Sequence, residues 1–193
     1  MVSNLLAGNR PQRSSISVEI SQNVKEDLIQ LREEEKLARD VYLYLYTVWD
    51  QWIFSNIAKS EQQHMDAVKK LLEKYDIEDP ADIDIQGKFQ NQDLQDLYDE
   101  LTAEGTPSVE GALYVGATIE DLDLFDIYRM IGETDIIDVS NVYENLSRGS
   151  RNHLRSFLGQ LMLFDEDYAY EAQFLDQDEV DEIYSSPMES GHR

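Results

Sequence analysis

The chain contains no cysteine. That excludes disulfides, zinc ribbons, iron–sulfur clusters, thiolate-ligated haem and cysteine nucleophiles. Basic side chains are scarce, with 16 Lys plus Arg against 40 Asp plus Glu and a formal net charge of −24. Such a chain would meet like charge at a phosphate backbone or an anionic bilayer, so neither nucleic acid nor membrane is an expected partner, whereas cations are. Most of the acid reads as a solubilising surface, or one adapted to high salt. No apolar run approaches the roughly 18 residues of a membrane span. The first seventeen residues, MVSNLLAGNRPQRSSIS, lack the apolar core of a signal peptide. A cytoplasmic location is the expectation, with export after removal of a leader left open. Gly-x-Ser-x-Gly, P-loop and dinucleotide-binding fingerprints are also missing.

Proline and glycine are sparse, at 4 and 9 residues, and their positions divide the chain. The length of 193 residues and the 41% apolar content fit one globular domain. Residues 1–20 read as a flexible tail, 21–175 as the domain, and 176–193 as an acidic tail with one short helix near Gln177 to Tyr184. Ser21 is a capping residue, and the next Pro or Gly after it is Pro80. Two long helices broken near Trp52 to Asn56 fill that stretch. Pro80, Gly87, Gly105 and Pro107 punctuate a connecting region that holds a short amphipathic helix from Asn91 to Glu104. A third long helix, capped by Ser108, spans Val109 to Gly132, and a fourth spans Ile137 to Phe164. There is no strand signal. Four long helices with some thirty residues between the second and third predict an all-α bundle, in which that connection crosses over and makes the third helix parallel to the second.

The buried stripes carry the chemistry. They advance by alternating threes and fours. The first reads Val24, Leu28, Leu31, Glu35, Ala38, Tyr42, Leu45, Trp49, Trp52, with Glu35 as its one polar member. The second reads Phe54, Ile57, Glu61, His64, Val68, Leu71, Tyr75. For the third, Leu113, Gly116, Glu120, Asp123, Ile127, Met130 and Leu113, Ala117, Glu120, Leu124, Ile127, Ile131 fit equally well; both contain Glu120 and only the first contains Asp123. The fourth reads Tyr143, Leu146, Ser150, His153, Phe157, Leu161, Phe164. Every seam thus carries an ionisable group near its middle. A buried unpaired carboxylate costs several kcal/mol or changes its protonation, and a divalent cation would compensate all four seams at once. Carboxylate with neutral imidazole is a donor set for iron, manganese or zinc. Each residue also has a plainer role: Glu35 lies in the run Glu33-Glu34-Glu35, which suits a solvated face, and a lone histidine such as His153 can be a satisfied core residue.

Glu35-Lys36-Leu37-Ala38-Arg39-x-x-Tyr42 resembles the first-helix motif of rubrerythrin-type ferritin-like proteins, and Glu61-x-x-His64 resembles their second-helix motif. More closely, LREEEKLARDVYLYLY, FSNIAKSEQQHMDAV, LQDLYDEL, VGATIEDLD and GSRNHLRSF resemble an uncharacterised prokaryotic ferritin-like family, domain of unknown function 2202, over about Val24 to Leu175. The resemblance implies a ferritin-like four-helix bundle with an interior metal site. It implies Glu35 as a terminal carboxylate, Glu61 as a bridging carboxylate with His64 beside it, and Glu120 and His153 as the ligands from the third and fourth helices. One position departs from the pattern: Ser150 stands where a second bridging carboxylate is expected. Asp123, one turn from Glu120, can substitute for it. Glu144 is a poor substitute, lying about 180° around the helix from His153. Tyr42 and Ser150 are candidates to flank the ligands. The implied cofactor is iron or manganese, one or two ions, with zinc an alternative. The implied chemistry is ferrous oxidation or peroxide reduction, with dioxygen or peroxide as co-reactant, an external electron donor, and a homodimer as a candidate assembly. Metal storage without turnover, and a purely structural bundle, are the competing readings.

Overall fold

The structure is a computed structural model and describes residues 20–165 and 168–191. The expected N-terminal tail lies almost entirely outside the described residues. Among the described residues the chain is all helical, with six helices and no strand. The first, α1 (Gln22–Trp49), starts where Ser21 Oγ accepts from the Val24 amide at 3.3 Å, and stops at Asp50, whose backbone is left-handed at φ 51°. Only Asp50 and Gln51 separate it from α2 (Trp52–Lys74), so the two lie antiparallel. After residues 75–91 comes α3 (Gln92–Gly105), capped by Asn91, and then α4 (Val109–Glu133), capped by Ser108. A short link leads to α5 (Ile137–Leu161), and α6 (Gln177–Ser185) closes the described chain.

The long helices α1, α2, α4 and α5 pack in a closed ring: α1 on α2, α4 on α5, α1 on α4 and α2 on α5. Contacts fix their directions. Tyr42 meets Glu120 while Asp27 meets Arg129, so α1 and α4 are antiparallel. Ser60 meets His153 while Lys74 meets Asp138, so α2 and α5 are antiparallel. It follows that α2 and α4 run parallel. The connection between them leaves the C-terminal end of α2, passes the Arg32–Asp79 pair and runs along α1 to its far end, where the Trp49 indole donates to the Gly105 carbonyl.

Two details differ from the sequence expectation. The break between the first helices falls at Asp50–Gln51, ahead of the expected Trp52 to Asn56, and α5 ends at Leu161 instead of Phe164. Consequently Trp52 and Phe164, placed in the seams by periodicity, are exposed at 68% and 58%, because the stripes run past the packed length of the helices.

The apolar core is split. One cluster gathers Leu37 to Leu45 of α1, Phe54 to Ala58 of α2, Ala112 to Leu124 of α4 and Leu154 to Leu161 of α5. The other gathers Val24 to Leu31, Val68 to Leu72, Ile127 to Met130 and Val139 to Leu146 from the same helices. Between them lies a layer that is buried and polar.

Candidate metal centre

That layer contains all the ionisable seam residues predicted from sequence. Glu35, Glu61 and Glu120 are fully buried, Asp123 nearly so, and His64 and His153 expose only an edge. Each comes from a different long helix except for the two pairs Glu61–His64 and Glu120–Asp123, which share a face because three residues span most of a turn.

Glu61 is the hub. Its Oε2 lies 2.7 Å from His64 Nδ1, and its Oε1 lies 2.8 Å from His153 Nδ1. Beyond the imidazoles, His64 Nδ1 is 3.1 Å from Glu35 Oε2, and His153 Nδ1 is 3.4 Å from Glu120 Oε2. The two imidazole rings stack with centroids 5.6 Å apart. Two triads result, Glu35–Glu61–His64 and Glu61–Glu120–His153, whose donor atoms lie within 4.8 Å of one another. Both share Glu61.

Angles matter as much as distances here. His153 Nδ1 and both Glu61 oxygens have no partner in hydrogen-bond geometry among the described residues, in spite of the short separations. Glu35 Oε1, Glu120 Oε2 and Asp123 Oδ2 are likewise buried without a partner. Of the four imidazole–carboxylate approaches only His64 Nδ1 to Glu35 Oε2 has hydrogen-bond geometry, so at the other three lone pairs converge without a hydrogen bond between them. Orphaned buried acceptors are costly, and six such atoms in one layer call for a shared positive centre.

Electrostatics agree. Burial alone would raise Glu61, but the imidazoles of His153 and His64 outweigh it and hold the carboxyl well below the usual range. Burial pushes Glu35 up to about 7 against the pull of His64. Burial also raises Glu120, aided by Glu61 and opposed by His153. Asp123 rises well above the carboxylate range, first by burial and then by the charges of Glu35, Glu120 and Glu61. Burial opposes charging His153, but Glu61 and Glu120 overcome it and raise the imidazole to about 10. The carboxylates demand positive charge at this place, and His153 does not meet that demand with a well-aimed N–H.

Supporting contacts orient the donors. Tyr42 Oη donates to Glu120 Oε1 at 2.6 Å. Its ring packs on Phe157 with centroids 5.3 Å apart, so core packing and the contact with Glu120 coexist. His153 Nε2 lies 3.0 Å from Ser60 Oγ. That contact sets the ring so that Nδ1 faces the carboxylates. Ser150 turns its hydroxyl back onto the Leu146 carbonyl at 3.3 Å and offers no carboxylate. Asp123 faces the layer but joins neither triad.

Three participants were not singled out from sequence. Ser60 carried no signal, being one serine among many. Gly149 did: a glycine inside a helix often marks a close approach. A Cβ built there would stand 2.5 Å from His64 Nε2. Glu34 is buried where a solvated face was the plain expectation. Burial and the neighbouring Asp126 raise it to about 8.

Residues 24–187 match the family described as uncharacterized protein domain (DUF2202). The chain belongs to that family. This DUF2202 chain is 52% identical over 172 residues to the uncharacterized protein MJ0754 of Methanocaldococcus jannaschii, covering 89% of this chain and 92% of the relative. The crystal structure of the hypothetical protein MJ0754 from Methanococcus jannaschii superposes with a TM-score of 0.85 at 49% identity, covering 97% of this chain and 100% of that one. The likeness thus extends over nearly the whole fold and includes the helices that carry both triads.

Proposed function

We propose that this chain is a ferritin-like crossover bundle that holds one or two iron or manganese ions in its interior and uses them to oxidise ferrous iron or reduce peroxide. The observation that carries the reading is Glu61. It lies within 2.8 Å of two imidazole nitrogens yet makes no hydrogen bond, and it is shared by both triads. Four carboxyls face two imidazoles in a layer between apolar clusters, an excess of acid that two imidazoles do not balance and that divalent cations would. Glu35, Glu61 and His64 would hold one ion; Glu61, Glu120 and His153 would hold the other. When bound, such ions supply one-electron redox chemistry and a binding position for dioxygen or peroxide. The chain's own residues do the rest. Ser60 holds the His153 ring in orientation. Tyr42 steadies Glu120 through their short hydrogen bond. The flanking aromatic and aliphatic layers exclude bulk water. With no cysteine to carry electrons, a reductant would be a separate partner.

A metal-binding protein without turnover is the second reading. Ser150 supports it, since it leaves the two sides of the layer unequal. Ferrous oxidation followed optically separates the two. Glu61→Ala should abolish oxidation with its helical spectrum intact. Tight metal retention by the unaltered chain with no oxidation by dioxygen or peroxide would favour binding alone.

A further inference from the structure

A second row of carboxylates lies in the α1–α4 seam, beside the two triads. Asp126 and Arg129 stand at its outer end. Arg129 Nη2 is 3.6 Å from Asp126 Oδ1, while Nη1 donates to Asp27 Oδ1 at 3.1 Å and to Glu133 Oε2 at 3.3 Å. Inward of them sits Glu34, 4% exposed. Its Oε1 accepts from Gln30 at 2.7 Å, and its Oε2 has no partner among the described residues. Asp123 follows, also 4% exposed, with Oδ2 unpartnered. Among charges, Glu34 feels Asp126 first and Glu35 next, while Asp123 feels Glu35, Glu120, Glu61 and Glu34. The Asp27–Arg129 and Tyr42–Glu120 contacts set the register of α1 against α4 and bring Glu34 and Glu35 level with the Asp123–Asp126 turn, with Asp126 toward the surface and Asp123 and Glu35 toward the buried layer. Asp123 and Asp126 stand about 4.5 Å apart along one helix, with Glu34 facing them from the other.

Four features point the same way. The carboxylates share one level of the α1–α4 seam. Its inner members carry bare oxygens instead of internal lysine or arginine partners. It begins at a half-exposed arginine and ends at a proposed ligand. Oxygen donors in series suit a hard or borderline divalent cation and repel anions. Resting on the metal centre proposed above, we infer that this seam is the entry path of that cation. Asp126 captures it at the mouth, Glu34 and Asp123 pass it inward to Glu35, and Arg129 neutralises the mouth until a cation displaces it.

Cobalt(II) tests this without redox chemistry, because its visible absorption changes on entering a carboxylate–imidazole site. Metal-free full-length protein is mixed rapidly with cobalt(II), and both the rate and the final cobalt per chain are recorded. Glu34→Gln and Asp126→Asn should each slow uptake at least tenfold while reaching the unaltered final content. Arg129→Gln should speed it, and Glu73→Gln, which removes an equal charge at an exposed position on α2, should leave the rate unchanged. Melting of each variant checks the fold, and the opposite sign expected for Arg129→Gln keeps the test decisive if an acidic variant is unstable. Unchanged rates with full final content would overturn the entry path and leave the metal centre standing. An unchanged rate with reduced content would also overturn it, making Glu34 a ligand. Failure of the unaltered chain to take up cobalt would overturn the centre itself, and the path with it.

Discussion

Glu34 shows how one buried carboxyl sets a pH dependence. Burial, then Asp126, raises it from 4.5 to about 8 in the folded state. A group raised on folding stabilises fully below its unfolded value, and that contribution is lost as pH climbs toward the folded value. Metal-free protein should therefore lose stability between about pH 4.5 and 8 on account of this residue. Glu34→Gln removes the ionisable group and keeps the shape. It should raise the melting temperature of metal-free protein, and by more at pH 8 than at pH 5. The gain cannot exceed about 1.4 kcal/mol for every pH unit that separates the folded from the unfolded value. An equal effect at both pH values would show that Glu34 is not buried as described. Gly149 gives the complementary case. Alanine is about 1 kcal/mol better than glycine inside a helix, so Gly149→Ala should leave helix content intact. Its Cβ would displace the His64 ring, 2.5 Å away. Since mis-set ligands typically cost about 10–100-fold in metal affinity, a titration should show weakening of that order. Unaltered affinity would mean that His64 does not bind metal.

At the scale of the element, α1 is buried all round from Leu31 to Tyr42, although the run Glu33-Glu34-Glu35 suits a solvated face. The cause is the connection after α2. Arg32 pairs with Asp79 at 2.9 Å, Glu33 accepts the Gln90 and Asn91 amides, Lys36 donates to the Ile85 carbonyl, and Asp40 accepts the Gly87 amide. Asp40 also balances Lys36 and Arg39, all three being buried. Asp40→Asn would leave those cations under-compensated, and about 3–5 kcal/mol of stability should be lost, read by urea unfolding, with residues 75–91 cleaved first in limited proteolysis. A loss below about 1 kcal/mol would mean that the connection is not anchored there. This is also where legibility ended. Helix starts were readable because Ser21, Asn91 and Ser108 cap them through local chemistry. Glu35, Glu61, His64, Glu120 and His153 were readable because a polar residue interrupting an apolar stripe is itself a local signal. The burial of Glu33, Glu34 and Lys36 depends on the route of an irregular segment with no periodicity, so nothing in the neighbouring residues announces it.

At the scale of the molecule, a net charge of −24 surrounds a core divided by its own polar layer. The four long helices each bring ionisable side chains to the level where charge must be neutralised. A cation bound only to the folded state adds RT ln(1 + [L]/Kd), about 2.7 kcal/mol at a hundredfold excess over Kd. Chelation should therefore lower the melting temperature, and restoring iron or manganese should raise it again. No helix among the described residues is long and apolar enough to cross a membrane. The most direct test of the interior metal centre is the elemental content, by mass spectrometry, of protein purified without an affinity tag or chelator. One or two iron or manganese ions per chain are expected, two if Asp123 or solvent makes up for Ser150 and one if the Glu120–His153 side stays empty. No metal, both as isolated and after incubation with ferrous and manganous ions, would contradict the metal centre and leave Glu61 as a purely structural hub.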